Sequence, residues 1–149
     1  MNYDFILCEF NNQRFVTVAS KIKVKASYLE ASWIIIGEIT EIIIPKRTVS
    51  KTRLDNLWED TCFELFLKAP EQESYVEYNF SPDKNWNSYQ FKNYRSGMTF
   101  YKTIEPEIDF QLSNKSLIMS AQIEIPQELK AEQKLAIAIT AVLNTPKGL

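Results

Sequence analysis

The chain contains no histidine. That absence removes Ser-His-Asp and Cys-His nucleophilic arrangements, histidine metal sites and histidine-ligated haem together. An enzyme built on this chain would have to run on carboxylates, Lys, Tyr or Cys alone. Glycine is scarce, with Gly37, Gly97 and Gly148 the only examples, and no Gly-rich phosphate loop exists. Apolar runs such as residues 33–36 are far too short to span a bilayer. The start, Met1-Asn2-Tyr3-Asp4-Phe5, has no positive segment followed by a long apolar one, so no secretory signal is visible and a cytoplasmic address is expected. In that compartment Cys8 and Cys62 are expected to be reduced thiols that act as small core hydrophobes. The net charge of -2 comes from interspersed acids and bases, which gives no field favouring nucleic acid or an anionic membrane. Neither is expected as a partner.

What is present reads as strands. At 149 residues the chain is one expected domain, 1–149, with enough length for one sizeable core. Its hydrophobic periodicity is mainly two. Residues 15–24 form a first expected strand, and residues 27–30 a short connection. Residues 31–39, β-branched and apolar on both faces, suit a strand between two covered surfaces. Ile42 to Ile44 extend or follow it until Pro45, which cannot donate to a ladder. Further strands are expected at 62–68, 75–80, 86–92, 99–104, 109–112, 117–125 and 135–143. The last, with small Ala136 and Ala138 on one face, suits a sheet centre. Pro126 opens a short helical turn. Eight to ten short strands with turns between them indicate a two-sheet antiparallel β-sandwich.

The densest aromatic and carboxylate content lies between Leu57 and Met98. Alternation places Phe63, Leu65 and Leu67 on one face of their strand and Cys62, Glu64 and Phe66 on the other. In the next strand Val76, Tyr78 and Phe80 oppose Tyr75, Glu77 and Asn79. If the two pair as a hairpin, Glu64 and Glu77 share a polar-tending face. The third strand sets Asn87, Tyr89 and Phe91 against Trp86, Ser88 and Gln90. Trp58 and Trp86 are candidate stacking platforms, Trp33 a core residue, and Arg95 either reaches the site or ties a loop to a carboxylate. The polar stretch 46–56 carries Lys46, Arg47, Lys51 and Arg53, either as a solvated connector or as a rim for an anionic or polyhydroxylated ligand. Asp60 beside Glu59 has no spaced oxygen-ligand loop that would support calcium, and no metal is expected.

The block Leu57-Trp58-Glu59-Asp60-Thr61-Cys62-Phe63-Glu64, with Tyr78-Asn79-Phe80-Ser81-Pro82 and then Trp86, Tyr89, Phe91 and Tyr94-Arg95-Ser96-Gly97-Met98, resembles bacterial DOMON-like domain proteins, relatives of the family 9 carbohydrate-binding modules. The motif match covers residues 57–98; elsewhere only the hydrophobic pattern agrees. The resemblance implies a jelly-roll-like β-sandwich that binds sugars or haem. Haem-binding DOMON domains use Met and His as axial ligands, and this chain offers Met98 and Met119 without His, so no cofactor is expected. The relatives continue past the position of residues 144–149 with an aromatic strand, so a terminal strand is expected to be missing and a sheet edge open.

The expected function is a non-catalytic module that binds a carbohydrate or sugar-containing small molecule. Its expected face comprises Trp58, Glu64, Glu77, Asn79, Trp86, Tyr89 and Arg95. An intracellular sugar, nucleotide sugar or peptidoglycan precursor fits the expected address better than polysaccharide. Two alternatives use the same residues. A protein-interaction module would use the aromatic face or the open edge, with a partner or a second copy. A glycoside hydrolase would use Glu64 and Glu77 as its carboxylate pair, which needs a raised pKa and a deep cleft.

Overall fold

In a computed structural model describing residues 1–7, 15–47, 51–132 and 134–148, strands dominate and no α-helix occurs among the described residues. Among the described residues ten strands form two five-stranded sheets. The first, in the order β1-β2-β3-β9-β8, uses Asn2–Ile6, Val16–Val24, Tyr28–Gly37, Ser116–Glu124 and Glu107–Leu112. The second, in the order β10-β4-β5-β6-β7, uses Ala136–Val142, Cys62–Lys68, Tyr75–Phe80, Trp86–Phe91 and Thr99–Phe100. Every strand pairing within the two sheets is antiparallel. The chain is a two-sheet antiparallel β-sandwich.

Period-two patterning decides which side of each strand enters the core. The first sheet contributes Leu29, Ala31, Trp33 and Ile35 from β3 and Leu117, Met119, Ala121 and Ile123 from β9. The second contributes Phe63, Leu65 and Leu67 from β4, Val76, Tyr78 and Phe80 from β5, and Ile139 from β10. Burying each large aliphatic or aromatic side chain contributes about 1.5–3 kcal/mol, offset against chain entropy. At the centre Trp33 meets Phe63 at 5.5 Å and Phe80 at 6.0 Å, both tilted. Its indole N–H donates to the Thr140 carbonyl of the opposite sheet at 2.9 Å. Trp33 is a core residue, as its setting in an apolar strand predicts.

Four features differ from what the sequence predicts. β1 was not expected, and residues 28–30 belong to β3 rather than to a connection. β10 is an edge strand, paired with β4 alone. Its apolar side chains Ile137, Ile139 and Ala141 join the same core as Ile39, Ile42 and Ile44, and just beyond the strand the Ile43 N–H donates to the Asn144 carbonyl at 2.8 Å. The expected strand 99–104 ends after Phe100. There the ladder is interrupted by side chains: the Ser88 N–H turns to Asn87 Oδ1, while Arg53 and the Ser88 hydroxyl take the Tyr101 carbonyl. Cys62 is buried and unbridged; Cys8 lies outside the described residues.

Candidate functional site

The pleat that sends Phe63, Leu65, Tyr78 and Phe80 inward sends their neighbours to the outer face of the second sheet. The register lays these neighbours in rows. Thr140, Glu64, Asn79 and Asn87 lie opposite one another across β10, β4, β5 and β6. The next row runs Ala138, Phe66, Glu77, Tyr89 and Phe100. Beyond it, Tyr75 faces Phe91, their rings stacked at 4.6 Å and 6°. Glu77 therefore stands between Phe66 and Tyr89, diagonal to Glu64.

A short 3-10 turn, Leu57–Glu59, crosses one end of this face and packs against β4 and β5. It starts from Asn56, whose left-handed backbone (φ 58°) suits Asn. Leu57 is buried, and Trp58 meets the ring of Tyr89 edge-on at 5.4 Å. The approach to the turn is tied down by the sheet. Asn87 donates to the Leu54 carbonyl and to the Tyr89 hydroxyl, both at 2.9 Å. The Tyr89 hydroxyl donates to Asp55 at 2.5 Å. Burial, followed by the Asp55 carboxylate, pushes the Tyr89 hydroxyl far above its ordinary range.

Two carboxylates occupy the middle. Glu64 accepts from the Thr140 hydroxyl at 2.6 Å, and Glu77 accepts from the Asn79 amide at 2.9 Å. Burial pushes both above the usual carboxylate range, opposed at Glu64 by Thr140 and Arg95. At Glu77 the Asn79 hydrogen bond opposes the shift, Glu64 reinforces it, and Arg95 opposes it more weakly. Neither carboxylate has an ion-pair partner among the described residues. Asn79 is 0% exposed, and its Oδ1 has no hydrogen-bond partner. A buried acceptor left in that state costs about 1–3 kcal/mol. Arg95 sits exposed in the turn after β6, with positive φ (53°), and its backbone N–H donates to the Tyr75 hydroxyl at 3.3 Å.

The structure brings Trp58, Glu64, Glu77, Asn79, Tyr89 and Arg95 to this one face or its rim. It does not bring Trp86, which points into the sandwich, is 5% exposed, and lies under the Arg53 guanidinium at 4.4 Å. The reason is register: Trp86 pairs with inward Phe80, and Asn87 and Tyr89 occupy the other pleat. Phe66, Tyr75 and Phe100 also stand on this face, outside the expected set. Tyr75 and Phe66 were legible from strict alternation with Glu77 and Glu64. Phe100, 63% exposed and stacked on Tyr89 at 5.6 Å, depends on a two-residue strand that no periodicity reveals.

The basic stretch 46–56 contributes no free rim from its arginines. Arg47 bridges Asp83 at 2.8 Å and Asp60 at 3.1 Å, while Arg53 covers Trp86. Asp60 also accepts from Asn144 at 3.1 Å, so the carboxylate weighed for calcium is held in an internal network. No group of three metal-ligating side chains stands together among the described residues. A cavity of about 250 Å³ lies elsewhere, lined by Lys51, Lys84 and residues 105–108.

No protein-family model matches the sequence, and no curated protein matches it. Solved structures do match in shape. A candidate carbohydrate-binding protein from Bacteroides uniformis superposes with a TM-score of 0.67 at 10% identity, over 97% of this chain and 72% of that one. A family 9 carbohydrate-binding module from Caldicellulosiruptor kristjanssonii, solved with glucose, gives 0.47 at 10% identity, over 88% and 60% of the two chains. The first likeness establishes the fold. What this face can do chemically follows from its own residues: it offers half-buried carboxylate acceptors beside aromatic rings, and exposed Arg95 as a donor at the rim. Among the described residues no helix is long and apolar enough to cross a membrane.

Proposed function

We propose that this chain is a non-catalytic binding module for a carbohydrate or sugar-containing small molecule, akin to DOMON-like domains and family 9 carbohydrate-binding modules. The ligand lies on the outer face of the second sheet. One observation carries the reading: half-buried, unpaired carboxylates share an open sheet face with the aromatic rings of Trp58, Phe66 and Tyr75. A sugar presents hydroxyl donors around its rim and an apolar C–H face, which match carboxylate acceptors and aromatic rings respectively. A plain solvated wall does not need its carboxylates desolvated beside aromatics.

The test is tryptophan fluorescence against mono- and oligosaccharides. Trp33 and Trp86 are buried in the core, so Trp58 is the reporter. A saturable change that disappears in Trp58→Phe supports the reading. Glu64→Gln should weaken binding several-fold, with no hydrolysis in either protein. Sugar turnover abolished by that substitution would move the reading to a glycoside hydrolase. A protein-interaction reading is favoured by exposed Tyr94, Met98 and Phe100 beside the face. It gains if every sugar is silent.

A further inference from the structure

The chemistry around Glu64 and Glu77 is one-sided. Glu64 Oε1, Glu77 Oε2 and Asn79 Oδ1 are acceptors without a hydrogen bond to another described residue. Asn79 lies between the two carboxylates: it is the cross-strand partner of Glu64 and sits two residues from Glu77, to which its amide donates. That hydrogen bond fixes the amide with its nitrogen on Glu77, so the orphan atom is an oxygen. A ligand that completes this group must bring donors, and more than one. Positive charge is also wanting, because Arg95 acts on the two carboxylates only through its field and not through contact. Half-buried Phe66 flanks Glu77 across the strand pair, and an aromatic ring attracts a cation as it does not attract a neutral hydroxyl.

We propose that the face selects a sugar carrying a protonated amine, with the ammonium group seated between Glu64 and Glu77 and beside Asn79. An ammonium supplies three donors and one positive charge in a compact head, while the sugar ring lies against Trp58 and Phe66. The specificity rests on the carbohydrate reading above. Within it, hexosamines are preferred over the parent hexoses. N-acetylation, which removes the charge and two of the donors, abolishes the preference.

The experiment is calorimetric or fluorescence titration at pH 7 of the chain with hexose, hexosamine and N-acetylhexosamine in the gluco, galacto and manno series. At least one hexosamine should bind roughly tenfold more tightly than its hexose and its N-acetyl form, as expected for hydrogen bonds to a charged group. In Glu77→Gln and in Glu64→Gln that advantage should shrink toward unity, even though hexose binding itself also weakens several-fold. An unchanged near-ultraviolet circular dichroism spectrum shows that each variant is folded. Equal affinity across each series overturns the amine selectivity and leaves the carbohydrate reading standing. An advantage that survives in both variants places the amine elsewhere and overturns the seat. Silence from all nine sugars overturns both.

Discussion

The two outer faces of the sandwich are built from the same pleat and differ in how their charges are treated. On the first sheet, Lys23 and Glu30 stand opposite one another and pair at 2.9 Å with roughly a third of each side chain exposed. Ser32 faces Lys21 on one side and Ser120 on the other. That face carries charges that are either solvated or matched. On the second sheet the carboxylates are desolvated, no cation among the described residues touches them, and a loop is bound across one end. Stability alone does not require such an arrangement, because an unpaired buried charge is a cost. A functional face is where that cost is usually found.

The largest expected effect that sharpens this contrast is at Asn87. Asn87→Ala removes the donor to Leu54 and Tyr89 and the acceptor of the Ser88 N–H, all in a buried setting. A loss of about 2–3 kcal/mol, read as a lowered urea midpoint, is expected. Trp58 emission should shift to the red as its turn loosens. An unchanged midpoint would mean that the turn is held by Leu57 packing alone.

A smaller effect, opposite in sign, is expected at Glu77. A carboxyl raised in the folded state binds protons there more readily than in the unfolded chain, so its contribution to stability falls as pH rises through the folded pKa. The charged groups acting on it are Glu64 and Arg95. Glu77→Gln should therefore raise Tm at pH 7 by on the order of a few degrees, with the gain fading toward the ordinary carboxylate range near pH 4. Glu64→Gln should do likewise, and the double variant should gain less than the sum because each removes part of the other's repulsion. A lowered Tm at pH 7 would show that the carboxylates are compensated in the free protein.

The fold was largely legible because alternation is local. Leu117, Met119, Ala121 and Ile123 announce a core face without knowledge of their partners. Glu64 and Glu77 came together for the same reason, once the hairpin was assumed. The Trp86 assignment failed although the same rule covered it: Trp86 and Tyr89 differ by an odd number of residues, so one pleat cannot hold both. Other features depend on contacts far apart in sequence. The edge position of β10, the stacking of Phe100 on Tyr89 and the capture of Arg47 by Asp60 and Asp83 are examples. No window of sequence contains them.

The smallest effect tests the comparison from its quiet side. Glu30→Gln removes one member of the Lys23 pair on the first sheet. The pair is substantially exposed, so solvent screens the attraction and side-chain ordering offsets part of it. A loss of about 0–1 kcal/mol is expected, vanishing in high salt, with binding of any sugar unchanged. The matched neutralisation at Glu77 should stabilise the chain and weaken its ligand. Opposite signs from the same Glu→Gln change on the two faces would separate a solvated wall from a binding surface. A like sign on both would remove the physical ground for distinguishing them.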